Sequence, residues 1–231
     1  MPAADNFARV LGHAGWGDPI GGLWFIGIEE GSAWKGGPEV VDQWFDQNAI
    51  TALGDMTYES CPAEGGLPAA SGSRVRYWEQ AIFDRLRAHH GNTSPPPPLW
   101  SPGSRVFHTN LYPLARYSVA SWPDYFETLF GVASAEVYRQ AVHAQRFAKL
   151  RGARKQAAPQ AIVCFGKAFW PEFAALLGLD PESARFEAEG KLKCYDAEKV
   201  ICTPFFGYWH MKSSLADVIA TILDSWKVEV G

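Results

Sequence analysis

Four short stretches carry side chains that could do chemistry together. Glu29 and Glu30 lie in Gly27-Ile-Glu-Glu-Gly-Ser32, Asn110 in Thr109-Asn-Leu-Tyr-Pro113, and Lys167 in Gly166-Lys-Ala168. His210 and Lys212 lie in Thr203-Pro-Phe-Phe-Gly-Tyr-Trp-His-Met-Lys-Ser-Ser214. A carboxylate can stabilise a developing cation or orient a water, and an adjacent carboxylate raises its pKa by like-charge repulsion. A side-chain amide presents donor and acceptor at once, which suits the edge of a polar ring. An imidazole can donate to an oxygen as negative charge grows there. Together these groups suit recognition of a planar, polar ring and acid or electrostatic chemistry on it. The phosphate-loop, dinucleotide-binding, nucleophile-elbow and HExxH patterns are all absent.

Such groups meet only if the elements carrying them end at one place. Each stretch follows a short apolar run: 22–28, 105–111, 160–166 and 199–204. The runs are rich in β-branched and aromatic residues and too short for buried helices, so they read as strands covered on both faces. Helical patterns lie between and after them, at 38–53, 74–90, 134–155, 168–177 and 213–226. Ser134 opens the longest, and Val137, Ala141, Phe147 and Leu150 form its inward stripe; Ser213 or Ser214 is able to cap the last. Strands alternating with helices imply a mainly parallel sheet with helices on both faces, whose ligands bind beyond the strands' carboxyl ends. A further pair, 191–195 and 199–201, predicts an antiparallel hairpin turning through Asp196-Ala-Glu-Lys. Ser94-Pro-Pro-Pro-Pro98 is a stiff extended segment. Residues 54–73 form a loop too long for an ordinary connector, suited to a substrate loop or a mobile insertion.

Composition narrows the class. The chain has 231 residues, 47% of them apolar and 20% charged, a profile that buries a sizeable core. No apolar run approaches the roughly 20 residues that span a bilayer, and the N-terminus lacks a signal-peptide pattern. The four cysteines form no CxxC pair. One cytoplasmic, disulfide-free domain over residues 1–231 is the expectation, with no metal site. The net charge of −4 gives no support for a polyanion grip over the whole surface, although a local basic face remains open.

In their order the four stretches resemble the uracil-DNA glycosylase superfamily. There a first-strand Gly-x-(acid or Asn)-Pro is followed by a second strand bearing Asn, and a late His-Pro-Ser follows a fourth strand. This chain offers Gly27-Ile28-Glu29-Glu30-Gly31, Phe107-His-Thr-Asn110-Leu-Tyr-Pro113 and His210-Met211-Lys212-Ser213, while 162–168 is similar to the family's third strand and turn. The likeness extends over roughly residues 22–226. It implies a three-layer α/β/α sandwich around a central, mainly parallel four-stranded sheet. It also implies a monofunctional DNA glycosylase that breaks the bond between sugar and a flipped base. Glu30 stands where the family has proline, and the late motif lacks its proline and first serine. These departures point to a divergent member acting on uracil or another damaged or modified base, in repair or against protective bases in viral DNA.

On this resemblance Glu29 stabilises the oxocarbenium-like sugar or orients water, with Glu30 sharing the task. Asn110 reads the base edge and His210 donates to the departing base. Trp34, Tyr58, Tyr77 and Trp78 compete to stack on that base. Met211 is an apolar wedge toward the duplex, with Lys212 and Ser213 beside it at the DNA. The partner is duplex or single-stranded DNA. No cofactor is implied, since the cysteine spacing does not match the iron–sulfur members.

Each residue also has a plainer reading. Glu29 and Glu30 read as solvent-facing loop acids, Asn110 as a turn cap, His210 as a half-buried ring beside Trp209, and each aromatic as core. Arg146, Lys149, Arg151, Arg154 and Lys155 suit a helix C-terminus or a DNA-backbone patch. His89, His90 and His108 have no acid or thiol close in sequence. The alternative for the whole chain is a non-catalytic nucleic-acid or nucleobase-binding module on the same fold. A third reading is an unrelated small-molecule hydrolase on a similar scaffold.

Overall fold

A computed structural model describes residues 3–20, 22–31, 74–92, 94, 99–100, 104–116, 121–207 and 210–230. The helical pattern at 38–53, the loop at 54–73, the proline run at 95–98, Cys61, Trp34, Tyr58 and Trp209 lie outside the described residues.

The chain is an α/β protein built on a mixed sheet of seven strands. They are β1 (Trp16–Gly17), β2 (Leu23–Gly31), β3 (Val106–Arg116), β4 (Ala161–Phe165), β5 (Arg185–Glu187), β6 (Leu192–Tyr195) and β7 (Val200–Thr203). Their order across the sheet is β1-β3-β2-β4-β7-β6-β5. The four runs expected as strands are the contiguous parallel centre, β3-β2-β4-β7. The expectation of four strands is corrected to seven, because antiparallel strands extend both edges. β6 is the hairpin partner expected for β7. β1 and β5 have two and three residues, too few to carry a period-2 pattern.

Alternation along the central strands sends side chains to two separate apolar clusters. Leu23, Phe25, Val163 and Ile201 join one; Trp24, Ile26, Ile162 and Cys202 join the other. The first cluster is closed by α2 (Arg74–His89) and α7 (Ser213–Ser225), through Ile82, Phe83, Ile219 and Leu223. The second is closed by α1 (Ala3–Gly12), α3 (Tyr125–Phe130), α4 (Ala135–Ala141), α5 (Phe147–Ala157) and α6 (Trp170–Leu177). Each fully buried aliphatic or aromatic side chain stabilises the fold by about 1.5–3 kcal/mol relative to exposure.

α4 and α5 make the long helix expected from 134, and Ser134 caps it by accepting from the Val137 amide at 3.3 Å. A π turn, Val142–Arg146, joins them. Phe147 and Leu150 face the core as expected, whereas in the first turns Tyr138 and Val142 are buried in place of Val137 and Ala141, and Val137 is exposed. Across the π turn, whose extra residue per turn offsets the drift of i, i+4 spacing, Arg146 is buried too. At α7 the cap position is Lys212, and Ser213 and Ser214 lie inside the first turn. Among the described residues no helix is long and apolar enough to cross a membrane.

Candidate functional site

The register of the two central strands brings the first two stretches together. Gly27 on β2 faces Asn110 on β3, and Glu29 faces Tyr112 one step nearer the strands' carboxyl ends. A Cβ on Gly27 would lie 2.4 Å from Asn110 Oδ1 and 2.7 Å from the Phe165 ring. Glycine at this position is therefore a requirement of the amide packed against it. Asn110 is 7% exposed, and among the described residues no hydrogen bond of its side-chain amide is seen.

The backbone of Asn110 is held from behind by a residue with a different expected role. Arg146, in the π turn, is fully buried and donates to the Asn110 carbonyl from Nε at 3.2 Å and Nη2 at 2.8 Å. It also reaches the Leu11 and His13 carbonyls, at 3.1 and 2.6 Å, and Thr109 Oγ1 at 3.1 Å. Burial lowers its pKa from 12.5 to about 10, so it stays protonated at neutral pH. Arg146 is thus removed from any DNA-backbone patch: it knits the end of α1 to β3. Arg151 and Arg154 donate to the Ala175 and Leu177 carbonyls and so cap the neighbouring α6. Lys149 and Lys155 remain exposed.

Two residues before Asn110, on the same face of β3, His108 Nδ1 lies 2.7 Å from the buried Glu79 carboxylate of α2. Trp100 Nε1 donates to the other Glu79 oxygen at 2.8 Å. Burial pushes the Glu79 carboxyl above its ordinary value, against the opposing pull of His108, Trp100 and Arg76. His108, which has no acid near it in the chain, therefore has one in space. The same holds for His89 and His90, which approach Asp224 at 3.7 and 3.5 Å. Among the described residues no three such groups gather as a metal site.

Beyond the ends of β2, β4 and β7 lies a cleft of about 790 Å³. Ile28, Gly166 and Lys167 line it from the sheet side, Phe205 and His210 from the segment after β7, and Lys212 from the start of α7. His210 and Lys212 are exposed there. Ser213 is also exposed, and its hydroxyl accepts from Arg85 Nη2 at 2.7 Å, tying α7 to α2. Met211, expected to project as a wedge, is 3% exposed and packed in the core with Leu215 and Phe206. Its apolar side chain anchors the segment, and its neighbours His210 and Lys212 face outward.

Of the expected stacking rings, Trp34 lies outside the described residues. Tyr77 and Trp78 stand on α2, packed edge-on at 5.0 Å, and neither lines the cleft. Among the described residues Phe205 does, 39% exposed and 6.2 Å from Phe165, which stacks on Phe206 at 4.4 Å. The adjacent pair Phe205-Phe206 in the stretch after β7 was the available signal. Glu29 and Glu30 occupy the end of β2. The structure thus brings Gly27, Asn110 and Phe165 into contact, and gathers His210, Lys212 and Lys167 around the adjoining cleft.

Comparison with models of known protein families and with curated proteins finds no match.

Proposed function

We propose that the chain is a DNA glycosylase that hydrolyses the N-glycosidic bond of a flipped damaged or modified base, uracil or another modified pyrimidine. One observation carries the reading: the Asn110 side-chain amide is packed on Gly27 near the strand ends where Glu29 also lies. An amide held in this way can pair with the polar edge of a ring at little entropic cost, because Gly27, Phe165 and Arg146 already fix it. The helices on both faces of the parallel centre are compatible with the three-layer sandwich that the resemblance implies.

In this reading the base edge meets Asn110 while the C1′–N bond lengthens. Positive charge grows on the sugar and negative charge on the base. Glu29, aided by Glu30, stabilises the sugar cation and orients a water whose oxygen bonds to C1′. His210 donates a hydrogen bond to the base oxygen, which carries the electron pair of the broken bond. One proton of the water stays on the new sugar hydroxyl and the other passes by way of the carboxylate to the departing base, so no redox partner is needed.

Base release from duplex and single-stranded oligonucleotides carrying uracil, other deaminated bases and bulky modified pyrimidines tests the reading. Release is expected from the native protein, with a loss of 100-fold or more in Glu29→Gln and His210→Ala, the range for a single general acid–base or oxyanion-type group. Tight binding without release of any base would move the assignment to a non-catalytic binding module.

A further inference from the structure

Part of the cleft's wall belongs to an element that the parallel centre of the sheet does not need. The β5–β6 hairpin turns through Ala188, Glu189 and Gly190, with φ of 50°, 59° and 76°, and closes on a Lys191 amide to Ala188 carbonyl bond of 3.2 Å. Two residues with side chains in the left-handed region make this a costly turn. It holds Glu189 and Lys191 against the cleft. Elsewhere in the lining, Gly166 at φ 135° leads into Lys167; a Cβ at Gly166 would lie 2.4 Å from Ile28, so this bend also demands glycine. At the third side Lys212 precedes α7, a helix of 13 residues whose amino end carries positive dipole charge.

Among the described side chains, three lysines from three elements thus share one cleft with Glu189, which lies 3.0 Å from Lys191 Nζ. Among the described residues, Lys167 and Lys212 have no carboxylate partner. Lys167 Nζ lies instead 5.4 Å from the Trp170 ring. The chain as a whole carries a net charge of −4. A positive cleft on a negative molecule concentrates anions locally and repels them elsewhere. Its volume of about 790 Å³ is ample for a nucleotide with its phosphates.

We propose that this cleft is a polynucleotide-backbone site, in which Lys167 after β4 and Lys191 on the β5–β6 hairpin hold strand phosphates and Lys212 holds one at the amino end of α7. The β5–β6 hairpin is then a clamp that seats the strand beside the reading amide. This extends the nucleic-acid reading above and rests on it.

Anisotropy of a labelled, unmodified oligonucleotide, single-stranded and duplex, is measured against salt concentration for the native protein, Lys167→Ala, Lys191→Ala and the double variant. Lys227→Ala, exposed and away from the cleft, is the control. Each cleft substitution is expected to weaken binding several-fold at low salt. It should also flatten the slope of log affinity against log salt by about 0.7 for a single strand or 0.9 for a duplex. Slopes equal to those of the native protein and of Lys227→Ala would overturn the proposal. So would displacement of the oligonucleotide by a nucleoside monophosphate or inorganic phosphate at the same concentration, which would make the cleft a small-anion site. Base release separates the two readings. Release with unchanged slopes sinks the clamp and keeps the glycosylase; flattened slopes with no release do the reverse.

Discussion

Gly27→Ala would place a methyl carbon 2.4 Å from Asn110 Oδ1 and 2.7 Å from the Phe165 ring. One of the two must move, and overpacking of this kind costs about 1–3 kcal/mol. A modest fall in melting temperature is expected, together with a loss of base release far larger than the loss of stability, since the displaced amide no longer faces its ligand. Base release as complete as in the native protein would remove Asn110 from the reading site. Arg146→Met leaves the Leu11, His13 and Asn110 carbonyls and the Thr109 hydroxyl without their donor. At about 1–3 kcal/mol for each acceptor left unsatisfied, partly recovered by relaxation, a loss on the order of 3–5 kcal/mol is expected in urea unfolding. Arg146→Lys should recover only part of it, because a point charge cannot span acceptors arranged for a planar fork.

Among the elements, the parallel centre carries the deepest thiols. Cys164 and Cys202 face each other across β4 and β7, both fully buried. Burial pushes the Cys164 thiol well above its ordinary value, and Cys194 rises to about 12 for the same reason. Because the thiolate is the reactive form, Cys164 and Cys194 should resist a thiol reagent in the native protein, as should Cys202 through its burial, and all three should react at the rate of unfolding. Stopped-flow labelling in rising urea checks this; fast labelling of Cys164 or Cys202 without denaturant would mean that β4 and β7 open locally. The π turn between α4 and α5 has a matching role at this scale. By keeping position 146 in line with Tyr138, Val142 and Leu150, it brings a cation to the buried end of a stripe that is otherwise apolar.

For the molecule as a whole, two buried groups set opposite limbs of the stability profile. Burial and the nearby Arg146 lower the His13 pKa from 6.5 to about 3. The unfolded chain binds that proton first, so His13's contribution is present above pH 6.5 and is lost as pH falls toward 3. At roughly 1.4 kcal/mol per pH unit over that interval, the loss is on the order of 4–5 kcal/mol. Glu79 has the reverse sign: its folded pKa is raised, so its contribution is present below pH 4.5 and is lost as pH rises through the folded value. Urea unfolding across this range should show His13→Gln losing the acid limb and Glu79→Gln flattening the decline on the higher-pH side. Parallel profiles for native protein and variants would rule out both assignments.

Local pattern determined much of this protein. The four central strands, α2, the helix formed by α4 and α5, and α7 follow from apolar periodicity and short propensity-rich runs, because burial on two sheet faces imposes those patterns directly. The carboxyl-end rule then directs attention to Gly27 and Asn110, which touch, and to Lys167 and His210, which line the cleft beyond the strand ends. Only tertiary structure decided the rest. β1 and β5 are too short to carry a period, and whether Met211 or Lys212 faces outward depends on which one the core beneath can accept. Arg146 reads in the chain as one member of a basic cluster, and its burial depends on carbonyls 133 to 135 residues away. Glu79 and His108 lie 29 residues apart, and no periodicity joins them. Hydrophobic pattern is a local property of the chain, whereas partnering of buried polar groups is set by which distant segments the fold brings within about 3 Å.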